Sequence, residues 1–490
     1  MTPWGLRKSL PLAAALGVAL LYRLPYLSNP AALNSDGAVV GLQARAILRG
    51  QWSWFLWGTN YQSSFDPAMH ALAFALFGAT PLTMVCGTLL AALLMIALAF
   101  VTLRRHVGDA LALACCLPLI FAPHAFNHFI QMGFRQWALT AFVAAVALLD
   151  SPRRWTALFG ALLLFAMVYL DVFMLQAVPA LVLLAGFRAR EGRWLPVLLG
   201  AACGAALLFA VRHGLPGQAP TQLRLDRLAH NLPLFAQCAG WLAGARAMIG
   251  SPPRPWSAPL PVAAVQWLGA FALAAAIVAG GLAWFRPRVP AGVRQLGLAG
   301  FVSAASAACG FLLSTWPTDI YSDRYLAPGA VAIPFALAPV AWMLGARRFA
   351  LAFAPSAMAL LVSGWLGCGD FVRGPLPVRT ARGVAEDERV LRAQLLERGI
   401  HAAAADYWLA YRLSFLWQED PVVANIEGWE RMPEYRRAFE QEPRQALLFH
   451  PSVPQTPPWR FEQRLRARGV PVERREINGF TVLLIDNPMR

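Results

Sequence analysis

The sequence predicts a mainly α, polytopic membrane protein of about eleven helical spans, followed by a small soluble α/β domain. Three observations carry this. Hydrophobic residues fill 58% of the 490 positions and charged residues only 14%, where soluble globular chains carry roughly 25% charged residues. Uncharged runs near the roughly 20 residues that cross a bilayer recur through the first three quarters of the chain. Beyond about residue 380, short apolar segments alternate with surface-helix patterns instead.

The apolar runs lie near 9–27, 81–103, 109–123, 134–149, 155–170, 172–187, 195–211, 260–285, 294–314, 325–344 and 349–367. The first follows Arg7 and Lys8 as a signal peptide would, but it has no small-residue cleavage site before Arg23 and so reads as a retained helix. Alternate connections hold the basic residues: Arg104 and Arg105, Arg153 and Arg154, the cluster of Arg188, Arg190 and Arg193, the trio of Arg286, Arg288 and Arg294, and Arg347 with Arg348, offset by Glu191. The other connections carry Asp36, Asp66, Asp226, Asp319 and Asp323. The positive-inside rule then places the basic connections and the N-terminus in the cytoplasm, and the acidic ones and the C-terminal domain outside. This needs a turn at Asp171, because residues 155–187 would otherwise form one helix too long for the bilayer at about 1.5 Å per residue. The formal charge of +16 is thus a topology signal and not a nucleic-acid footprint; the expected surroundings are the lipids of a cell inner membrane. Five of the seven cysteines fall in apolar runs and act as small hydrophobes.

Residues 1–370 form the expected membrane module. Within it, 28–80 is too polar for a simple crossing. SDGAVVGLQARAILRG sets Val39, Leu42, Ala46 and Leu48 against Asp36, Gln43, Arg45 and Arg49, the pattern of an amphipathic helix lying on the membrane surface. PAMHALAFALFG is apolar but about three turns long, which suits a re-entrant or interfacial helix. Trp52, Trp54, Phe55, Trp57 and Tyr61 between them suit headgroup anchoring. In 380–490, EDERVLRAQLLERG and YWLAYRLSFLW read as helices; HAAAAD, PVVANI, RQALLFHP and GFTVLLIDN read as strands. No glycine-rich phosphate loop is present there, so docking or acceptor handling is expected of this domain rather than catalysis.

These features alone allow a transporter or a membrane enzyme. No clear internal repeat is visible, and the ionisable residues gather at the outer ends of spans instead of mid-span, which favours an enzyme at the outer face. A resemblance goes further. NSDGAVVGLQARAILRGQWSWFLWG, the following DPAMHALAFALFG, and SDRYLAPGAVAIPFALAPVAWML resemble segments of the GT-C superfamily of membrane glycosyltransferases, which includes protein O-mannosyltransferases and bacterial aminoarabinose transferases. The shared features are an acid just after the first helix, a juxtamembrane helix ending near Gly and Trp, a Pro-led segment ending in FG, and an RYLLP-type motif opening a late helix. The resemblance implies a GT-C-like fold and a hexosyl- or pentosyltransferase. It would move a sugar from a polyprenyl-phosphate-linked donor, with inversion, to a hydroxyl of a lipid, glycan or protein acceptor. The rival expectation is a transporter or flippase of a lipid-linked saccharide.

Asp36 matches the family's essential acid, where a carboxylate can take the proton of the attacking hydroxyl. An N-cap role competes, since Asn34, Ser35 and Asp36 all cap helices well. Arg324 matches the arginine of the RYLLP-type motif and would hold the leaving phosphate, against a plain interfacial, snorkelling arginine. Tyr325 beside it suits an interface anchor or a phosphate contact. Many relatives have a lysine before the prolines of the re-entrant segment, whereas here Phe65 and Asp66 precede Pro67 and Lys8 is the only lysine. Either an arginine such as Arg135 substitutes or the donor is held differently, with Asp66 a candidate second carboxylate or a helix cap. Asp171 marks the turn or lines the cavity. His124 and His128, four apart, are candidate ligands for a divalent metal; no other cofactor is indicated.

Overall fold

The computed structural model describes the chain except residues 1–2, 124–134, 213–221, 247, 250–253, 256, 374–381, 452, 454 and 487–490. Each of the eleven apolar runs is helical over most of its described residues. The membrane part comprises α1 (Pro3–Ser28), α2 (Ser35–Leu48), α3 (Phe65–Phe77), α4 (Pro81–Val107), α5 (Asp109–Ile120), α6 (Gln136–Asp150), α7 (Thr156–Leu170), α8 (Val178–Arg188), α9 (Trp194–Arg212), α10 (Arg227–Leu242), α11 (Leu260–Leu282), α12 (Ala291–Leu313) and α13 (Ala327–Arg373). Among the described residues, six helical stretches are long and apolar enough to cross a membrane, and α3, α5, α6 and α7 are shorter apolar helices. Two of the six, Val172–Val211 and Ile320–Leu366, run to 40 and 47 residues. Glycines at positive φ break both, Gly192 at 82° and Gly345 at 72°. A side chain would be strained at these angles.

The connections sort to two ends of the bundle. At one end Asp150, fully buried, meets His106 at 2.9 Å, Arg188 at 3.3 Å and Arg105 at 3.9 Å. Arg193 donates to the Ser151 carbonyl, and Phe187 stacks on Trp284. These are the arginine-rich connections, gathered around a carboxylate. At the other end the Ser63 amide donates to the Leu170 carbonyl, the Val172 amide to Tyr61, and the Arg224 amide to Leu313. α7 therefore ends against the 55–63 loop, and α8 returns to Asp150 through Arg188. The turn sits at Asp171, whose backbone is extended (φ −154°, ψ 128°) and whose side chain caps the following 3-10 turn by accepting from the Phe173 amide.

The helices meet closely where small residues allow it. A Cβ on Gly280 of α11 would lie 1.9 Å from the Ala336 carbonyl oxygen of α13, and one on Gly300 of α12 would lie 2.3 Å from the Ala336 nitrogen. Lipid gives helices no hydrophobic reason to associate, so close van der Waals packing holds them.

After a two-residue antiparallel pair, β1 (Met248–Ile249) with β2 (Arg254–Pro255), the remaining strands form one sheet. They are β3 (Ala402–Ala405), β4 (Val422–Asn425), β5 (Arg444–Phe449), β6 (Val472–Ile477) and β7 (Phe480–Asp486), in the order β4-β3-β5-β7-β6. β4, β3 and β5 are parallel, and β7 and β6 run antiparallel to their neighbours. The helices α14 (Arg382–Glu397), α15 (Tyr407–Leu416), α16 (Pro433–Gln441) and α17 (Pro458–Ala467) pack around it. α16, α17 and β6 are additions to the expected elements.

One expectation changes. α2 turns its apolar residues to protein: Ser35 and every residue from Ala38 to Ala44, with Ala46, are buried. α2 and α3 share one apolar core with the C-terminal sheet: Val39, Val40, Leu42 and Phe74 pack with Tyr411, Phe415, Phe439 and Leu447. A Cβ on Gly41 would meet the Phe415 ring at 2.5 Å, Phe74 stacks on the same ring, and Arg45 lies 4.3 Å from its centroid. Arg412, 2% exposed, pairs with Glu388 and donates to the Ala31 carbonyl. The amphipathic pattern is real, but its partner is protein on nearly all sides.

Replacing Gly280 with valine forces α11 off the α13 backbone, at a cost of roughly 1–3 kcal/mol by overpacking. A lowered thermal midpoint of the detergent-solubilised protein is the expected result; an unchanged midpoint would mean that α11 and α13 do not meet there.

Candidate active site

Asp36 occupies the first turn of α2 but does not cap it. The cap is Asn34, whose side-chain oxygen accepts from the Gly37 amide at 2.9 Å. The Asp36 carboxylate is left free to project, and it meets the C-terminal domain. Its Oδ1 accepts from the Tyr407 hydroxyl at 2.5 Å and from Arg431 Nη2 at 3.2 Å, while Oδ2 accepts no hydrogen bond from the described residues. Burial, together with the Asp36 charge beside it, pushes the Tyr407 phenol well above its ordinary value, so the phenol stays protonated and donates.

A second group of charges lies beneath. Arg135, at the head of α6, pairs with Asp171 at 2.9 Å, and both are nearly inaccessible. The guanidinium lies 4.3 Å from the Phe173 centroid and 5.9 Å from that of Tyr61. Asp66, in the first turn of α3, is 3% exposed and feels the charges of both Asp171 and Arg135. One of its oxygens is buried with no hydrogen-bond partner among the described residues.

Arg324 stands in the 3-10 turn Ile320–Leu326 just before α13, where Asp319 and Ser322 form a capping box. Its Nη2 donates to the Tyr325 hydroxyl at 3.1 Å, and its Nε is buried without a partner among the described residues. Tyr325 is 7% exposed and packs edge-on against Phe173 at 4.6 Å. It is a core side chain of this turn and not an anchor reaching out to the interface. Arg135, Asp171 and Arg324 line one small cavity of about 20 Å3 together with Phe173, which is room for about one water. Arg324 and Arg431 both lie within electrostatic reach of Asp36 and of the Tyr61 hydroxyl. Arg431 also walls an open groove of about 760 Å3, with Arg49, Trp57, Glu419 and Tyr435.

The structure thus gathers Asp36, Asp66, Arg135, Asp171, Arg324 and Tyr325 at one end of the bundle, Asp36 above and the arginines below. His124 and His128 lie outside the described residues. Among the described residues, no cluster of three or more His, Cys, Asp or Glu is placed to hold a metal. Tyr407 and Arg431 are absent from the sequence-based set. Tyr407 carried one signal, its position directly after the HAAAAD strand; Arg431 carried none among so many arginines.

No family model and no curated protein matches the sequence. Among solved structures, the chain is similar to ArnT from Cupriavidus metallidurans bound to undecaprenyl phosphate, with a TM-score of 0.59 at 12% identity over 99% of this chain and 98% of that one. Against ArnT from the same organism in the apo state, the values are 0.56 and 12%, covering 97% of each chain. An oligosaccharyltransferase from Archaeoglobus fulgidus gives 0.48 at 11% identity, over 89% of this chain and 67% of that one. Over nearly its whole length the chain therefore has the fold of the two ArnT structures, a helical membrane module with its C-terminal sheet domain. At this identity the likeness is one of fold.

The buried pair Arg135–Asp171 makes its own prediction. Arg135→Gln leaves Asp171 and Asp66 buried without their cation, and breaking one side of such a pair costs about 3–5 kcal/mol. Thermal melting should show the loss, and adding Asp171→Asn should recover a large part of it. If the double variant melts no higher than the single one, the two residues do not act as a pair.

Proposed function

We propose that the protein is a membrane glycosyltransferase that moves a sugar from a polyprenyl-phosphate donor to a hydroxyl acceptor. The acceptor oxygen bonds to the anomeric carbon as the bond from that carbon to the phosphate oxygen breaks, with inversion. The acceptor proton passes to Asp36, and the phosphate leaves with its lipid. The observation that carries this reading is the convergence of an accessible carboxylate, Asp36, with the partly unsatisfied guanidinium of Arg324 at one end of the bundle.

Each group suits its role. A base must come within hydrogen-bond reach of the proton it takes, and Asp36 keeps Oδ2 uncommitted. The leaving phosphate gains charge, which a guanidinium in a poorly solvated site stabilises strongly. Arg324 is the first such group, with Arg135 as a second. Asp171 pairs with Arg135, and Asp66 is a second buried carboxylate within electrostatic reach of that guanidinium. A whole-length likeness to a structure bound to undecaprenyl phosphate supports a donor of that chemical class. In this reading the protein sits in a cell inner membrane, with the Asp150 end in the cytoplasm and the Asp36 end outside. The acceptor is a lipid, glycan or protein hydroxyl.

Deleting the gene should remove a hexose or pentose mass increment from an envelope component and leave the lipid-linked sugar to accumulate. That accumulated lipid fraction, given to the purified protein with acceptor membranes, should restore the increment. Asp36→Asn should slow this transfer by roughly 10²–10⁴-fold, the usual contribution of a general base. Undiminished transfer by that variant would remove Asp36 from the role, and translocation of the lipid without transfer would favour a flippase. A topology reporter fused after Arg490 should report from outside the cytoplasm; a cytoplasmic signal would reverse the orientation.

A further inference from the structure

We infer that the C-terminal domain belongs to the catalytic apparatus, through Tyr407 and Arg431 as positioning residues that fix the orientation of the Asp36 carboxylate. This rests on the reading of Asp36 as the base.

The placement of the two residues comes first. β3 and β4 are adjacent and parallel. Tyr407 follows the carboxyl end of β3, and Arg431 lies in the loop that follows the carboxyl end of β4. In open α/β sheets that edge is where ligands are handled, and here it faces Asp36. Docking or acceptor handling was expected of this domain, and its edge meets the membrane module's acid.

Rigidity comes next. Asp406 caps α15 by accepting from the Trp408 amide at 2.9 Å, which fixes Tyr407 in the first turn. One helical turn on, the Tyr411 hydroxyl donates to Glu430 Oε1 at 2.6 Å and accepts from the Arg431 amide at 2.8 Å. Glu430 also accepts from the Asn425 and Met432 amides, both at 3.0 Å. The Arg431 side chain donates to the Trp57 carbonyl at 3.2 Å as well as to Asp36. Arg431 is therefore held by its backbone from behind and by two acceptors in front. Such support is what keeps a reacting group within its productive geometry.

The outcome at the carboxylate is asymmetric. Both donors reach Oδ1, and neither reaches Oδ2. With one oxygen anchored, rotation about the carboxylate is restrained and the other oxygen is left uncommitted for an acceptor hydroxyl. A base held this way needs no reorientation as the proton transfers.

The test uses the full-length protein, the lipid-linked sugar accumulated by the deletion strain, and acceptor membranes. Tyr407→Phe and Arg431→Ala should each lower kcat by roughly 10–100-fold, the size expected when a charged hydrogen bond that orients a reacting group is lost, with the donor KM within about twofold. Arg431→Lys should fall between Arg431→Ala and the parent. Placed on Asp36→Asn, neither change should slow the residual rate further, because residues acting as one unit are non-additive. A merely structural role would lower the rate in both backgrounds and move the melting temperature of the volume-conserving Tyr407→Phe variant. Parent-like kcat in both single variants, or a full additive loss on Asp36→Asn, overturns the inference. If Asp36→Asn itself transfers normally, the fault lies instead with the base assignment beneath it.

Discussion

The short helix α2 has almost no face left for solvent or lipid, and the organisation of the site follows from that. Its apolar residues join the core of the C-terminal sheet domain, its glycine at 41 admits an aromatic ring of α15, and its first turn offers a charge that, among the described residues, the domain's Tyr407 and Arg431 engage by hydrogen bonds. A carboxylate at a helix N-terminus is already favoured by the helix dipole. Here that end meets Tyr407 and Arg431 and lies within electrostatic reach of Arg324. Burial elsewhere on the helix is what makes the position of one carboxylate reproducible.

Two buried acids anchor the opposite ends of the bundle in different ways. Asp150 is enclosed by His106, Arg105 and Arg188, drawn from two connections. It ties together helix ends that would otherwise repel each other through their arginines. Asp171 faces one arginine, Arg135, and through the shared cavity a second, Arg324. Asp150 sits in an over-compensated cluster suited to holding a fold. Asp171 sits beside Arg135 and shares a cavity with Arg324, whose buried Nε has no partner among the described residues.

How much of this was legible in the sequence depended on whether a feature was local. The membrane helices were legible because lipid demands uniform apolarity, and the break at Asp171 because one charge interrupted a run too long to be a single span. The strands AAAA, VVAN and FTVLLID were legible because they are buried. β6 was not, since VERREI is an edge strand that exposes Arg474, Arg475 and Glu476. α16 and α17 are short and mostly polar, so no apolar run announced them. Asp36, Arg135, Asp171 and Arg324 could be picked out singly, by motif or by position. Their convergence could not, because it is set by tertiary packing between distant segments. Surface patterning misled at α2, where a half-polar helix looks the same whether its partner is lipid or protein. Arg431 was invisible for the plainest reason: a loop arginine in an arginine-rich chain has no signature until its partner is known.

The core shared by α2, α3 and the C-terminal sheet changes what counts as a separable piece of this molecule. By sequence position, a cut near residue 370 divides the membrane helices from the soluble domain. By packing, that cut strips one wall from α2, bares Val39, Val40 and Leu42 together with the hollow at Gly41, and releases Asp36 from both of its donors. The cooperative unit therefore spans the two ends of the chain, with residues 35–77 belonging to the sheet as much as to the bundle. Any exchange of C-terminal domains between proteins of this architecture has to carry that early segment with it, much as a lock is moved together with its strike plate.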